Sequence, residues 1–541
     1  MMPIVPMTHA VLLTTKTMSL CRLSVALAVA AICVAGNLDV LTNRYDQFTT
    51  GSDTQEIVLN ASNVNTANFG KLYSLYVDGA VYAQPLYVAS LNIPGRGIHN
   101  LVFIATMNDK LYAFDADRPG APLWMRDFTD ELAGVTPVPI TDITNSNDLN
   151  IVGNVGIEGT PVIDRPAGVL YLVARTKENG KYFQRLHKMQ IADGRENTPP
   201  TVIEAEAKGD APDAVNGMVR FDPRAGNQRA ALAMANGMVI IAWASHEDRP
   251  PYHGWIVAYD AATLKQTGAL CTTPDGNEGG VWQSGRGPAV DTSGHVYFEI
   301  GNGSWDGRRN LGASVLKLTP SAAGLKVDDY FTPANYDDLN RRDADVGSTG
   351  PLLIPGTNIL VCGNKDGVVF LLDQNEMGHL KASDRGIVQA LDLKSGRLMA
   401  GPAYWDGPAG GVLYIWCETG FPKAFRRKGG LFETVAFATG TVSSHGSPGG
   451  ALTISSHGKT SGTGVLWASA GLSRSADTGN APGILRAFNA ENLNEIWSSE
   501  RQPDRDRLGM LVKFVPPLVA AGRVYVPTYD NAVNVYGLLR N

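Results

Sequence analysis

NLVFIATMNDKLYAFDADRPGAPLW (100–124) contains two strand-like runs joined by a short polar turn, followed by an Asp turn and a terminal Trp. In its second run Leu111 and Ala113 alternate with Tyr112 and Phe114. This is the period of a strand packed on both faces. The pattern recurs along the chain as a short apolar strand, a turn ending in Gly or Asn, and a β-branched or aromatic strand. Paired strands read PLYVAS…NLVFIAT (85–106), TPVIDRPAGVLYLVA (160–174), AALAMANGMVIIAWA (230–244) and GPAVDTSGHVYFEIG (287–301). The series continues with GPLLIPGTNILVCG (350–363), GPAYWDGPAGGVLYIW (401–416), GALTISSHGKTSGTGVLWAS (450–469) and PPLVAAGRVYVPT (516–528). Several copies add a third strand ending in an Asp or Asn turn, as in WIVAYDAATLKQTG (255–268), VVFLLDQNEMG (368–378) and ILRAFNAENLNEIW (484–497). Helical periodicity is scarce, with 205–214 and 334–344 as candidates for short helices.

Eight copies of such a unit, without linkers between them, predict an all-β chain. They form a single β-propeller of eight four-stranded blades, with seven as the alternative count, in which radial closure disposes of exposed sheet edges. KLYSLYVDGAVYA (71–83) is placed to supply the strand that closes the ring with the last blade. The propeller is expected over 71–541, after a lead-in at 37–70.

Residues 1–36 read as a signal peptide. Lys16 and Arg22 precede the apolar run Leu23–Ala35, and Val34-Ala35-Gly36 offers small residues for cleavage. The run is short for a membrane span, so the mature chain is expected to be exported, periplasmic or secreted, without a membrane span. The 46 Lys and Arg nearly balance the 52 Asp and Glu, with no basic run, which argues against nucleic acid or an anionic membrane as the main partner. Outside the signal the cysteines are Cys271, Cys362 and Cys417, too scattered for a metal cluster or a haem attachment. They predict either one disulfide with a spare thiol or three buried thiols.

With these repeats on the page, NLVFIATMNDKLYAFDADRPGAPLW, VCGNKDGVVFLLDQ (361–374) and IGNGSWDG (300–307) resemble blade segments of the pyrroloquinoline-quinone (PQQ) dehydrogenase-like propellers. The resemblance spans about 70–540 and implies either of two functions. One is an exported quinoprotein oxidising an alcohol or sugar hydroxyl with PQQ and Ca²⁺, passing electrons to a separate acceptor. The other is a non-catalytic scaffold or binding propeller that has lost the cofactor.

Loops between the second and third strands of a unit, and loops entering its first strand, emerge on one face. That places Glu178, His246, His253, Asn302, Asp306 and Lys365 near Glu158, Gln283, Arg286, Asp345, His445 and Lys513. By resemblance, Glu178, Asn302 and Asp345 are metal-site residues and Lys365 is the cation on the quinone oxygens. Glu178 and Asn302 also count as cofactor contacts, as does Trp282, the candidate platform indole. Asp345 or Asp338 is the general base, the two distinguished only by distance to neighbouring landmarks. The sequence departs from the pattern in three places: it has no adjacent cysteine pair, Trp282 stands about three residues early, and Ser304-Trp305-Asp306 replaces Pro-Trp-Asn. Taken singly, Glu178 in Lys-Glu-Asn-Gly, Asn302 between glycines and Lys365-Asp366-Gly367 are ordinary turn residues. Only their convergence on one face would make them a site.

Overall fold

The computed structural model describes residues 39–145, 150–381 and 386–539. The expected signal at 1–36 lies outside them. Among the described residues are eight sheets of four or more strands, antiparallel except for the short strand Ser52–Asp53, and one separate two-stranded hairpin. In chain order we number the sheets 1 (86–127), 2 (162–202), 3 (233–271), 4 (289–331), 5 (352–392), 6 (403–439), 7 (451–498) and 8 (518–538). Sheet 8 gains its outer strand from Phe69–Tyr76, which pairs antiparallel with Ala532–Leu538 as the sequence around 71–83 predicts.

The alternation in each strand is explained by where its two faces go. In sheet 1, Leu101, Phe103, Leu111 and Ala113 pack toward sheet 2, whereas Val102, Ile104, Tyr112 and Phe114 pack toward sheet 8. Every neighbouring pair of sheets encloses an apolar cluster of this kind, and the cluster between sheets 8 and 1 closes the ring. The terminal Trp residues dock in these seams. The Trp124 indole donates to Ile191 O at 3.2 Å, and Trp497 is fully buried against Phe69 and Tyr536. Cys271, Cys362 and Cys417 are free, buried thiols.

A segment at 205–214 does not form the expected helix. Glu206–Lys208 instead pairs with Met218–Arg220 as the separate hairpin. The acidic run near 334–344 does contain a helix, Tyr336–Arg341.

The lead-in fills the axis of the ring. Val40 bridges Tyr87 of sheet 1, and Leu41 O accepts from Ile163 N of sheet 2 at 2.8 Å. Gln47 O, Phe48 O, Thr50 O and Gly51 O then accept from Val290, Leu353, Tyr404 and Ile454, visiting the first strands of sheets 4, 5, 6 and 7 in turn. Ser52–Asp53 ends this path as a parallel strand against sheet 7. Arg44 and Arg286 are both buried on the axis and spend their guanidinium donors on backbone oxygens, those of Leu452 and Pro402 for Arg44, and of Pro402 and Thr49 for Arg286. Gly51 has φ +74°, and a Cβ there would collide with the Arg44 guanidinium. Tyr45 completes the axis by donating to Val519 O at 3.2 Å and accepting from Val519 N at 2.6 Å.

Tyr45→Phe therefore strips a buried N–H and C=O of sheet 8 of their partner without opening a large cavity. Unfolding in denaturant is expected to show a loss of about 1–3 kcal/mol. A loss under about 0.5 kcal/mol would show that the axial segment does not hold sheet 8.

Candidate active site at the mouth of the ring

Above the axial segment the loops of sheets 3 to 8 surround a cavity of about 270 Å³. On one wall, Asp345 opens the turn Val346–Ser348 before sheet 5, its Oδ1 accepting from Gly347 N at 3.1 Å. The same oxygen accepts from Asn302 N at 3.1 Å, and Oδ2 accepts from Trp282 Nε1 at 2.8 Å. Lys365, in the turn between the second and third strands of sheet 5, lies 3.5 Å from Asp345 Oδ2 and 2.7 Å from Asp343 Oδ1. Its ammonium also stands 5.6 Å over the Trp282 ring. Burial opposes the Lys365 charge, but the Asp345 and Asp343 carboxylates outweigh it and hold the amine above its ordinary range.

Asn302 donates its amide to Asp343 Oδ1 at 2.9 Å, leaving its own carbonyl oxygen buried and without a partner. Asp248 faces the same cavity on a turn where Glu247 and Asp248 both have positive φ. Tyr252 donates to Asp248 at 3.1 Å. Desolvation, then the charge of Asp345, pushes the Asp248 carboxyl up to about 6 against the pull of Lys365.

The opposite wall is cationic. Arg229, Arg397 and Lys513 face the cavity beside Phe514. Arg229 lies over the rings of Tyr82 and Phe514 and pairs with buried Glu158 at 3.2 Å. Arg397 bridges Glu418 and Asp477 at 2.6 and 2.9 Å.

Four of the residues expected to converge, Trp282, Asn302, Asp345 and Lys365, thus form one hydrogen-bonded group. Glu178 does not join them. It ends a long strand of sheet 2, where Arg185 takes both its oxygens and Thr176 donates at 2.7 Å, and it lines a separate rim depression. Ion pairing with Arg185 holds its carboxyl below the usual range. Asp338 is spent on Arg341 and Arg342 at the surface, so of the two candidate bases only Asp345 reaches the cavity. Gln283 and Arg286 turn down toward the axis, and His445 is exposed. His253 bonds Asp213 and Thr273, and Asp306 caps its own turn.

The residues of the expected calcium site were tested on their donor chemistry. Asn302 Oδ1 is the one oxygen left waiting, Asp345 already accepts from three donors, and Glu178 is committed elsewhere. Among the described residues no three His, Cys, Asp or Glu side chains are grouped to hold a metal. A divalent ion does not fit. A planar polycarboxylate finds positive charge at Lys365, Arg229 and Arg397 beside aromatic surfaces at Trp282 and Phe514, among the carboxylates of Glu247, Asp248, Asp343, Asp345 and Asp477.

A larger rim cavity of about 630 Å³ beside sheet 2 lacks such convergence. Its buried amide, Gln184, is already bonded to Pro223, Gly226 and Trp243.

Arg229, Arg397, Asp248 and Asp477 were not singled out in the sequence, although the loop rule reaches all four. Arg229 and Arg397 precede the first strands of sheets 3 and 6, and the other two lie between second and third strands.

No protein-family model matches the sequence, and no curated protein matches it. Solved structures do share its fold. The quinohemoprotein alcohol dehydrogenase of Comamonas testosteroni superposes with a TM-score of 0.51 at 14% identity, over 92% of this chain and 80% of that one. A quinohemoprotein alcohol dehydrogenase of Pseudomonas putida HK5 gives 0.51 at 14% identity, over 93% and 80%. A europium-containing methanol dehydrogenase gives 0.54 at 12%, over 92% and 98%. The fold is that of a quinoprotein-like propeller.

Because Asp345 and Lys365 flank Asp248 with opposite charges, their removal should move it in opposite directions. Asp345→Asn favours the Asp248 carboxylate and lowers its pKa by about half a pH unit or more, while Lys365→Met raises it. Carboxyl ¹³C titration with Asp248→Asn as assignment control reads both. A shift of the same sign in the two variants would refute the arrangement.

Proposed function

We propose that the chain is a quinoprotein-like oxidoreductase that binds PQQ in the mouth cavity and oxidises an alcohol or sugar hydroxyl there, after export. The observation that carries this reading is the single hydrogen-bonded group of Asp345, Lys365, Trp282 and Asn302, the first three of which line a cavity whose far wall holds Arg229 and Arg397. PQQ is a planar quinone with three carboxylates, which suits that wall. When bound, it supplies the two-electron acceptor for the substrate's hydride.

The chain's own part is to orient and to move a proton. Asp345 is fixed by Trp282 Nε1 and by the backbone N–H groups of Asn302 and Gly347, so its carboxylate is pre-set as acceptor for a substrate hydroxyl proton. Lys365, kept charged by Asp343 and Asp345, places positive charge where negative charge develops during reduction. Trp282 and Phe514, edge to face at 6.0 Å, present apolar surface that limits water at the reacting centre. The substrate, the separate electron acceptor and export belong to the proposal in the same way. No calcium step is assigned, because the donor set for the ion is incomplete.

Calorimetry with PQQ, with and without Ca²⁺, tests the cofactor. Binding is expected in both conditions and unchanged in Glu178→Ala, with weakening in Lys365→Ala. Asp345→Asn should retain PQQ but lose dye-linked alcohol oxidation by about 10²–10⁴-fold. Absence of binding at high micromolar PQQ would overturn the oxidoreductase reading in favour of the scaffold. Binding that needs both Ca²⁺ and Glu178 would overturn the metal-free form.

A further inference from the structure

Lys513 is a buried amine in the cationic wall that the proposed oxidation does not use. It lies in the segment entering sheet 8, 5% exposed, and lines both the mouth cavity and a small adjoining void next to the axial segment. Among the described residues it has no carboxylate within ion-pair distance. Its Nζ donates to Asp477 O at 2.7 Å and more distantly to Asn150 Oδ1 at 3.5 Å. An unpaired, desolvated ammonium beside another cation is a costly arrangement, and the neutral amine relieves it.

The neighbours that act on this amine come from several elements. Arg229 stands at the entry to sheet 3, Glu247 and His246 on the loop leaving its second strand, Asp477 in sheet 7 and Glu158 at the entry to sheet 2. Arg397 adds a third cation from the entry to sheet 6, already paired with Glu418 and Asp477. Asp345 and Lys365 lie across the cavity. Burial, then Arg229, pushes Lys513 down to about 7 against the carboxylates of Asp477, Glu247 and Glu158.

Glu158 supplies the second observation. It shares the small void with Lys513, is 3% exposed, and neither oxygen accepts a hydrogen bond; the Arg229 guanidinium lies 3.2 Å from one oxygen and His246 Nε2 3.8 Å from the other. Burial pushes its carboxyl above the usual range, against Arg229, Arg175 and Lys513. An amine whose hold on a proton is weakened and a carboxyl group whose hold is strengthened therefore face one void.

We propose that Lys513 is a nucleophilic amine that captures small aldehydes or ketones entering the mouth cavity as imines, with Glu158 as the proton donor for dehydration. The Nζ lone pair forms a bond to the carbonyl carbon, and a proton passes from nitrogen to oxygen to give the carbinolamine. The C–O bond then breaks. The oxygen leaves as water, having taken one proton from the nitrogen and one from Glu158, and the nitrogen keeps its last proton as an iminium. No oxidant or reductant takes part. The ligand class is a compact carbonyl compound, the class to which products of alcohol oxidation belong, but the capture stands whether or not PQQ binds.

The test is reductive trapping of the purified chain with propanal and cyanoborohydride, followed by peptide mass mapping. At pH 7, Lys513 is expected to be alkylated at least about tenfold faster than the exposed Lys181, Lys381 and Lys459, because far more of it is neutral. Its labelling rate should rise through about pH 7, where those of the surface lysines rise only at higher pH. Arg229→Gln should move the Lys513 profile upward, and Glu158→Gln should slow trapping while leaving acylation by a reagent that needs no dehydration unchanged. Labelling of Lys513 no faster than the surface lysines, or only after unfolding, would overturn the proposal. So would equal effects of Glu158→Gln on both reagents, since that would give Glu158 a structural role. The wild-type rate ratio and pH profile decide the matter even if a variant fails to fold.

Discussion

A closed ring of sheets leaves the backbone of its innermost strands facing the axis, where donors and acceptors need partners out of reach of bulk water. In this chain the partners come from a single short segment. Residues 40–53 pass from sheet to sheet, offering carbonyl oxygens to Ile163, Val290, Leu353, Tyr404 and Ile454. Arg44 and Arg286 satisfy the carbonyls that remain. Two fully buried guanidiniums without a carboxylate ion-pair partner among the described residues are an expensive way to do this. Burial lowers the pKa of both, and for Arg286 the nearby charge of Arg44 lowers it further. Between them the fan-shaped donors reach the backbone oxygens of Leu452, Pro402 and Thr49 and so repay the expense, because no apolar side chain could satisfy them. Sheets 1, 2 and 4 to 8 are thereby tied to one segment as well as to each other.

That axial segment also sets the floor of the mouth. Asn43 and the segment around Phe514 border the small void that holds Glu158, and Arg229 and Lys513 are shared between void and cavity. The polar groups at the mouth are therefore trapped between a packed axis below and their own loops above. This is the setting in which desolvation becomes the first cause of displaced proton affinities, as it is for Asp248, Glu158, His246 and Lys513. Burial raises the pKa of the acid Asp248 and lowers that of the amine Lys513, and the like charges of Asp345 and Arg229 add to the two shifts.

The fold was legible because its information is local and repeated. An alternation such as Leu111-Tyr112-Ala113-Phe114 has one physical explanation, a strand between two apolar seams, and it occurs often enough to be counted. The helix expected at 205–214 failed for the complementary reason: a short polar segment has no periodicity strong enough to outweigh the pairing of Glu206–Lys208 with Met218–Arg220. The site was legible only as far as topology carried it. Trp282, Asn302, Asp345 and Lys365 meet because loops on one face of a ring must meet. Which partner each side chain chooses there was not legible, since Arg185, seven positions along a hairpin from Glu178, looks in sequence like any other strand residue.

The capture of Glu178 by Arg185 separates two things that the resemblance had joined. A carboxylate at the end of the second strand of sheet 2 could turn toward the axis or stay on its own sheet. The cross-strand register puts Glu178 opposite Lys181 and Arg185 opposite Ala174, within reach of an ion pair along one hairpin. Arg185 is held in turn over the Phe183 ring at 4.8 Å, so it is not free to release the carboxylate. Near the mouth, sheet 2 instead presents Arg175, whose guanidinium meets His246 at 2.7 Å. The wall that would have met a cation is thus itself cationic, next to Arg229 and Lys513. Cations thus stand where the quinoprotein pattern calls for a metal, while Asp248, Asp343 and Asp345 gather around Lys365, and Glu247 and Asp477 line the wall beside Arg397 and Lys513.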